Sequence, residues 1–331
     1  MAQNESGALL SVRNLTIHYF TDSGVVQAVN GISFDVQQGE TLGLVGETGA
    51  GKTTTALGLM QLVPDPPGKI VEGTITFNGR DLTKLDKKEL RSYRGREASM
   101  IFQDPMTALN PVTTVGEQIA EVVKIHKKVS HAEALKEAAH MLETVGIPAE
   151  RLGDYPHQFS GGMKQRVVIA IALACNPHLI IADEPTTALD VTIQAQVLEL
   201  MKKLQQEYKT AMIMITHDLG VVAEVCDKVA IMYAGRIVES GPIEEIYENT
   251  KHPYTKGLFD SLPSLNTKVK RLRPIHGLMP DPTDLPPGCP FAPRCPHCTD
   301  ACSTHMPEPV EVAPGHQVCC VLYEKSADAV Q

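Results

Sequence analysis

The stretch GETGAGKTT, from Gly46 to Thr54, follows directly on the apolar run TLGLV, from Thr41 to Val45. A short, uninterrupted apolar run is expected of a strand buried on both faces of a parallel sheet. Glycines placed directly after it let the backbone fold into a concave nest whose N–H groups converge on phosphate oxygens. The run TTTALGLMQLV then reads as a helix that PDPPG stops, and its N-terminal end adds positive partial charge at the same point. In this setting Lys52 reaches the outer phosphates and the Thr53 hydroxyl ligates Mg²⁺. Gly46, Glu47, Thr48, Gly49, Ala50, Gly51, Lys52, Thr53 and Thr54 are therefore the candidate phosphate site.

The flanking sequence fits an α/β class. LLSVRNLTIHYF and VVQAVNGISFDV alternate apolar and polar residues as strands do, and EGTITFNGRDL adds another strand pair. From about residue 105 to 153 the helical period governs TVGEQIAEVVKI and HAEALKEAAHMLETVGI, so a helical insert interrupts the α/β pattern. That pattern resumes with HLIIADE as a strand, VTIQAQVLELMKKLQQEY as a helix, TAMIMITHD as a strand and KVAIMYAGRIVESG as paired strands. Beyond His252 the composition shifts and prolines recur from Pro280 to Pro293. The expected division is residues 1–255 as a nucleotide-binding domain and 256–331 as a Cys- and Pro-rich C-terminal extension.

Composition narrows the class. A net charge of -9 argues against a chain whose main task is gripping nucleic acid, which needs a Lys/Arg excess. The N-terminus has no positive segment followed by a long apolar one, so a cytoplasmic location is expected. The longest apolar tract, VVIAIALACNPHLIIA, is broken by Asn176, Pro177 and His178 and is too short to span a bilayer.

Two further motifs carry chemistry. LIIADE reads as a strand ending in two carboxylates that point to opposite sides: Asp183 for the Mg²⁺ water shell and Glu184 to orient or deprotonate attacking water. In QFSGGMKQRVVIAIAL, Ser160, Gly161 and Gly162 precede an apolar helix and form a second phosphate-seeking N-terminus. One γ-phosphate has little use for two cradles from the same chain, which suggests that this one serves a different nucleotide.

At this point the chain resembles a known family. SGGMKQ is similar to the signature motif of ATP-binding cassette (ABC) ATPases. Gln103 in IFQDP resembles their Q-loop, TALD (Thr187 to Asp190) their D-loop, His217 in MITHD their switch histidine, and Tyr19 in IHYF their adenine-stacking aromatic. The resemblance covers about residues 8–255. It implies a P-loop NTPase core with an N-terminal antiparallel β-subdomain, ATP and Mg²⁺ as ligands, and catalysis by Glu184, His217 and Gln103. Gln103 would sense Mg²⁺ and the attacking water, His217 would contact the γ-phosphate, and Ser160 and Gly162 would close over ATP held by a partner subunit. Met163 stands where many relatives carry Gln, with little effect expected on ATP binding.

The tail adds a second resemblance. Of the eight cysteines, Cys175 and Cys226 are expected as small core residues, and the rest fall between Cys289 and Cys320. Crowded thiolates repel unless a cation neutralises them, so zinc or an iron–sulfur cluster is expected, with unligated or disulfide-bonded cysteines as the remaining reading. KHPYTKGLFDSLP and GCPFAPRCPHC resemble the C-terminal extension of oligopeptide/dipeptide importer ATP-binding subunits, a branch that also serves nickel and other small solutes. FSGGMKQRVVIAIALACNP resembles the first of the two ATPase types paired in such systems. The resemblance implies a [4Fe-4S] cluster on Cys289, Cys295, Cys302 and Cys320, with zinc as the alternative and Cys298 and Cys319 as extra thiols.

The partners it implies are a second homologous ABC ATPase in a heterodimer, two transmembrane permease subunits and an extracytoplasmic substrate-binding protein, with no nucleic acid. The chain would sit peripherally on the cytoplasmic face of the membrane and power uptake of oligopeptides or dipeptides. Import of nickel or another small solute, and a soluble ABC ATPase in DNA repair or regulation, are the competing expectations. DPMTALNPVTTVGEQIAE (Asp104 to Glu121) is expected to form part of the permease-docking surface, and KVKRLR (Lys268 to Arg273) a solvated linker.

Overall fold

The computed structural model describes residues 7–187, 189–261 and 275–324, so Ala188 of the expected D-loop and the KVKRLR cluster lie outside the described residues. The chain opens with β1 (Leu10–Thr21) and β2 (Gly24–Val36), an antiparallel pair that buries Leu10, Val12, Leu15 and Ile17 from one strand and Val29, Ile32 and Val36 from the other, with register shifts interrupting strict alternation. β3 (Thr41–Val45) is buried along its whole length, as its unbroken apolar run requires, and leads through the glycine loop into helix α1 (Lys52–Leu59). The helix stops before the prolines: Met60 closes it and Gln61 takes a left-handed conformation. β4 (Gly68–Phe77) and β5 (Arg80–Asp81) complete a four-stranded antiparallel sheet in the order β2-β1-β4-β5.

Helix α2 (Lys87–Arg96), kinked at Arg94 and Gly95, leads to β6 (Ala98–Ile101). The helical insert follows as α3 (Pro105–Ala108), α4 (Val115–Lys127) and α5 (His131–Thr144). Its boundaries are set by side-chain caps: Thr114 accepts the Glu117 N–H, and Ser130 and Glu133 form a reciprocal capping box. Ile119 and Val123, one turn apart, turn the buried stripe of α4 inward.

The α/β pattern then resumes with α6 (Gly161–Leu173), β7 (Leu179–Asp183), α7 (Val191–Tyr208), β8 (Ala211–Thr216), α8 (Leu219–Val225), β9 (Lys228–Tyr233) and β10 (Arg236–Pro242). α9 (Ile243–Glu248) and α10 (Pro253–Asp260) lead into the tail. There α11 (Asp300–Thr304), β11 (Val310–Ala313), β12 (His316–Val318) and α12 (Val321–Glu324) form.

These strands make one eight-stranded sheet, ordered β11-β12-β10-β9-β3-β8-β7-β6. β6, β7, β8, β3 and β9 run parallel, while β10, β12 and β11 add antiparallel strands at one edge. One apolar core lies between this sheet and the four-stranded sheet with α1, and the other lies under α4 to α8 and the tail. Among the described residues no helix is long and apolar enough to cross a membrane.

The tail is anchored in this sheet by a buried polar cluster. Glu239 of β10 accepts the backbone N–H groups of Lys251 at 2.6 Å and His252 at 3.1 Å, and its carboxylate meets His316 Nε2 of β12 at 2.9 Å. Both side chains are fully buried, so removing Glu239 takes the acceptor from His316 Nε2 and from two backbone N–H groups. Glu239→Ala is accordingly expected to destabilise the chain by about 3–5 kcal/mol in urea unfolding. An unchanged midpoint would show that the tail is held by apolar packing alone.

Candidate functional site

Four adjacent parallel strands deliver the site residues to one edge. β3 ends in the phosphate loop, β8 in His217, β7 in Asp183 and Glu184, and β6 two residues before Gln103. Parallel neighbours carry their C-terminal ends to the same side of a sheet, where ligands of open α/β folds bind. Tyr19, Thr48, Gly49, Gly51, Lys52, Thr53, Thr54, Gln103, Glu184 and His217 line one open cleft of about 610 Å³, together with Val26, Ala28, Thr187 and Pro282.

The loop holds its shape because glycine is required at two of its corners. Gly51 sits at φ 99°, and a Cβ there would lie 2.3 Å from the Ala28 carbonyl oxygen. At Gly46 a Cβ would lie 2.3 Å from the Met232 carbonyl oxygen. Gly46 and Ala50 are buried beneath the loop rather than in the cleft. The Glu47 carboxylate turns to Arg294 of the tail at 3.1 Å. Lys52 Nζ donates to the carbonyls of Gly46 at 2.8 Å and Glu47 at 3.1 Å. Burial lowers its pKa, against the opposing pull of the Glu184, Asp183 and Glu47 carboxylates.

The two carboxylates do occupy different settings, although not by strand alternation. Asp183 ends β7 and is buried, whereas Glu184 lies past the strand at φ 47° with its N–H bonded to the Ile215 carbonyl at 2.9 Å. Asp183 is pushed above the usual carboxylate range chiefly by burial, against a hydrogen bond from Thr53. Its Oδ1 is buried and makes no hydrogen bond among the described residues. An orphaned carboxylate oxygen beside the Thr53 hydroxyl and Lys52 fits the shell of a phosphate-bound Mg²⁺.

The Glu184 carboxylate accepts hydrogen bonds from Gln103 Nε2 at 3.0 Å and Thr187 Oγ1 at 2.9 Å, and meets His217 Nδ1 at 3.3 Å. Burial pushes its pKa up, but the Thr187 and His217 contacts outweigh this and hold it below the usual range. It is therefore ionised at neutral pH and able to take a proton from water. The three residues expected to be catalytic are thus joined on one carboxylate. Thr187 is a partner that a D-loop reading alone leaves without this contact.

Ser160, Gly161 and Gly162 do not line this cleft. Ser160 caps α6 by accepting the Met163 N–H at 3.4 Å, so the helix N-terminus is set up for an anion. Gly162 also has a packing role: a Cβ there would lie 2.5 Å from Ile193 Cγ2 of α7. Asp190, the last residue of the expected D-loop, caps α7 by accepting the Ile193 N–H at 3.0 Å. The phosphate loop and the SGG turn are therefore separate surfaces of the chain.

In the tail, Cys289, Cys295, Cys302 and Cys320 line one small apolar pocket with His252, Phe291, His297 and Val321. Cys298 is exposed, and Cys319 faces a neighbouring cavity. This separates the four expected ligands from the two extra thiols. Burial raises Cys295 and Cys320 and pushes Cys289 up to about 11. Among the described residues, however, no group of three or more His, Cys, Asp or Glu side chains is placed to hold a metal ion. The donor chemistry suits a four-thiolate centre, and the arrangement of the side chains does not supply one. The [4Fe-4S] and zinc expectations thus gain no support from geometry.

Comparison with known proteins agrees with the cleft. The ABC transporter family model matches residues 29–187, and the model for the C-terminal region of oligopeptide/dipeptide transporters matches residues 238–302. The chain is 52% identical over 322 residues to the dipeptide transport ATP-binding protein DppD of Bacillus subtilis, covering 97% of this chain and 96% of that relative. It is 49% identical over 322 residues to the oligopeptide transport ATP-binding protein OppD of Escherichia coli, covering 97% and 95%. Among solved structures it is similar to the ATP-binding cassette MJ0796, a dimer in a post-hydrolysis state bound to ADP and Pi. That match has 28% identity, a TM-score of 0.63, and coverage of 71% of this chain and 98% of that one.

Asp183→Asn removes the orphaned charge without removing volume. The variant should lose the gain in ATP affinity that Mg²⁺ provides, while binding in EDTA stays equal or tightens. Titrations with and without Mg²⁺ measure this, and an undiminished Mg²⁺ gain would reject the assignment.

Proposed function

The chain belongs to the family of oligopeptide/dipeptide transport ATP-binding proteins, and on that premise we propose that it hydrolyses ATP to power an importer of oligopeptides or dipeptides. The observation that carries the chemistry is the Glu184 carboxylate, bonded to Gln103 and His217 in the same cleft as Lys52 and Thr53.

The triphosphate lies along the loop N–H groups, and Lys52 turns from the Gly46 and Glu47 carbonyls to the outer phosphates. Tyr19 stacks on the base. Thr53, Gln103 and Asp183 would hold Mg²⁺ through its water shell, and the ion would supply neutralisation of phosphate charge there. Water attacks the γ-phosphorus in line with the leaving ADP oxygen and gives its proton to Glu184, with Gln103 orienting the water and His217 holding the transferred phosphate.

The signature surface at Ser160, Gly161 and Gly162 closes over ATP on a second ABC ATPase, and that subunit's signature closes over this one. Each ATP is then a removable clamp whose hydrolysis lets the pair open. Two permease subunits receive this motion, and an extracytoplasmic binding protein delivers the solute. The chain sits peripherally on the cytoplasmic face of the membrane, with residues 1–255 as the motor and 256–331 as an accessory extension. The thiol chemistry of Cys289, Cys295, Cys302 and Cys320, and not their side-chain geometry, supports a [4Fe-4S] cluster or zinc on these four, which would crosslink the extension.

Glu184→Gln should lower phosphate release by at least about 100-fold while equilibrium ATP binding stays unchanged. Turnover at the wild-type rate would reject Glu184 as the base. For the cysteine centre, brown colour with bound iron in anaerobically purified protein supports the cluster, and colourless protein with stoichiometric zinc rejects it.

A further inference from the structure

The phosphate loop is not held by the α/β core alone. Arg294 of the tail has a buried side chain, 5% exposed, and its Nη1 donates to both Glu47 carboxylate oxygens at 3.1 and 3.2 Å. The same nitrogen reaches the Tyr233 hydroxyl at 3.3 Å, while Nε and Nη2 donate to the carbonyls of His276 and Ile275. Tyr254 of α10 accepts the Glu47 N–H at 3.1 Å. The tail touches the loop again at Gly49, where a Cβ would lie 2.9 Å from Met279 Cε. Pro282 then forms part of the cleft wall, and its carbonyl accepts the Gln27 N–H at 2.9 Å.

Glu47 is an electrostatic liability. A loop built to bind a polyanion carries a carboxylate whose charge is felt at Lys52. Left alone, that charge repels phosphate in a partly desolvated site where interactions are screened less than in water. A bound guanidinium cancels it and fixes the loop's second residue at the same time.

We propose that Arg294 is a positioning residue for the nucleotide site, neutralising and locking Glu47 so that the C-terminal extension is an integral part of the ATP-binding loop. The proposal rests on the ATP-site reading above. It gives the extension a direct line to the motor, because any rearrangement around Cys289 and Cys295 moves the short helical turn that carries Arg294. The contact is charge-specific, so its loss has a signature that a general packing defect lacks.

A double-mutant cycle on the full chain, read by ATP titration with thermal melts as a folding check, tests this. Arg294→Gln is expected to weaken ATP binding about tenfold, because it leaves Glu47 uncompensated. In the Glu47→Gln background the same change should cost less than about twofold, and Arg294→Lys, which keeps the charge, should recover most of the affinity. If Arg294→Gln leaves affinity unchanged, or its cost persists undiminished beside Glu47→Gln, Arg294 acts only through Ile275 and His276 and the proposal is overturned. Should Arg294→Gln fail to fold, Arg294→Lys and Glu47→Gln complete the comparison: loss of binding in Glu47→Gln alone overturns it, and wild-type or tighter binding supports it. Lys52→Ala separates the two levels, because wild-type ATP binding in that variant would overturn the phosphate-loop reading itself.

Discussion

The base of the proposed mechanism must remain ionised in a half-buried place, and the contacts to the Glu184 carboxylate meet that demand. Thr187 and His217 hold the carboxylate below its ordinary pKa despite burial, with Lys52 adding to the effect, and Gln103 donates a further hydrogen bond to it. The arrangement depends on the order β3-β8-β7-β6, which brings the ends of four parallel strands side by side. Moving β6 or β8 out of register would take Gln103 or His217 away from the carboxylate. Asp183, one residue earlier, meets the opposite condition: burial raises it, and one of its oxygens has no hydrogen bond among the described residues.

Much of this was legible in the sequence because fully buried parallel strands leave unbroken apolar runs. TLGLV, LIIAD and AMIMIT are strands buried at every position, and VTIQAQVLELMKKLQQEY is helical from its first residue to its last. Motif residues at strand ends followed from those runs. The differing settings of Asp183 and Glu184 follow from the left-handed backbone at Glu184 and not from strand alternation, which the apolar run does not report. The helix after Lys52 was expected to run to the prolines, yet Gln61 ends it earlier through a local backbone conformation that periodicity does not report.

The tail was the least legible part. VEVAPGHQV carries a weak alternation around a Pro-Gly turn and forms β11 and β12, which extend the core sheet. Proline content masked that signal. Arg294 stood in GCPFAPRCPHC without a role, because a contact with Glu47 some 247 positions away leaves no local pattern. Phe291 packs against Tyr233 and Tyr254 at ring-centroid distances of 5.2 and 5.4 Å, another long-range contact of the same kind. The six clustered cysteines could not be sorted by spacing, whereas their placement separates four that share a pocket from Cys298 and Cys319.

One chain leaves the proposed geometry incomplete: its own cleft holds the phosphate loop and Glu184, and its own signature turn lies elsewhere. The most direct measurement is specific ATPase rate as a function of protein concentration, with and without the second ATPase. A rate per chain that climbs with concentration or partner, and collapses when Ser160 is replaced by Arg, is the expected result. A constant rate at monomeric dilution, unaffected by that replacement, would contradict it.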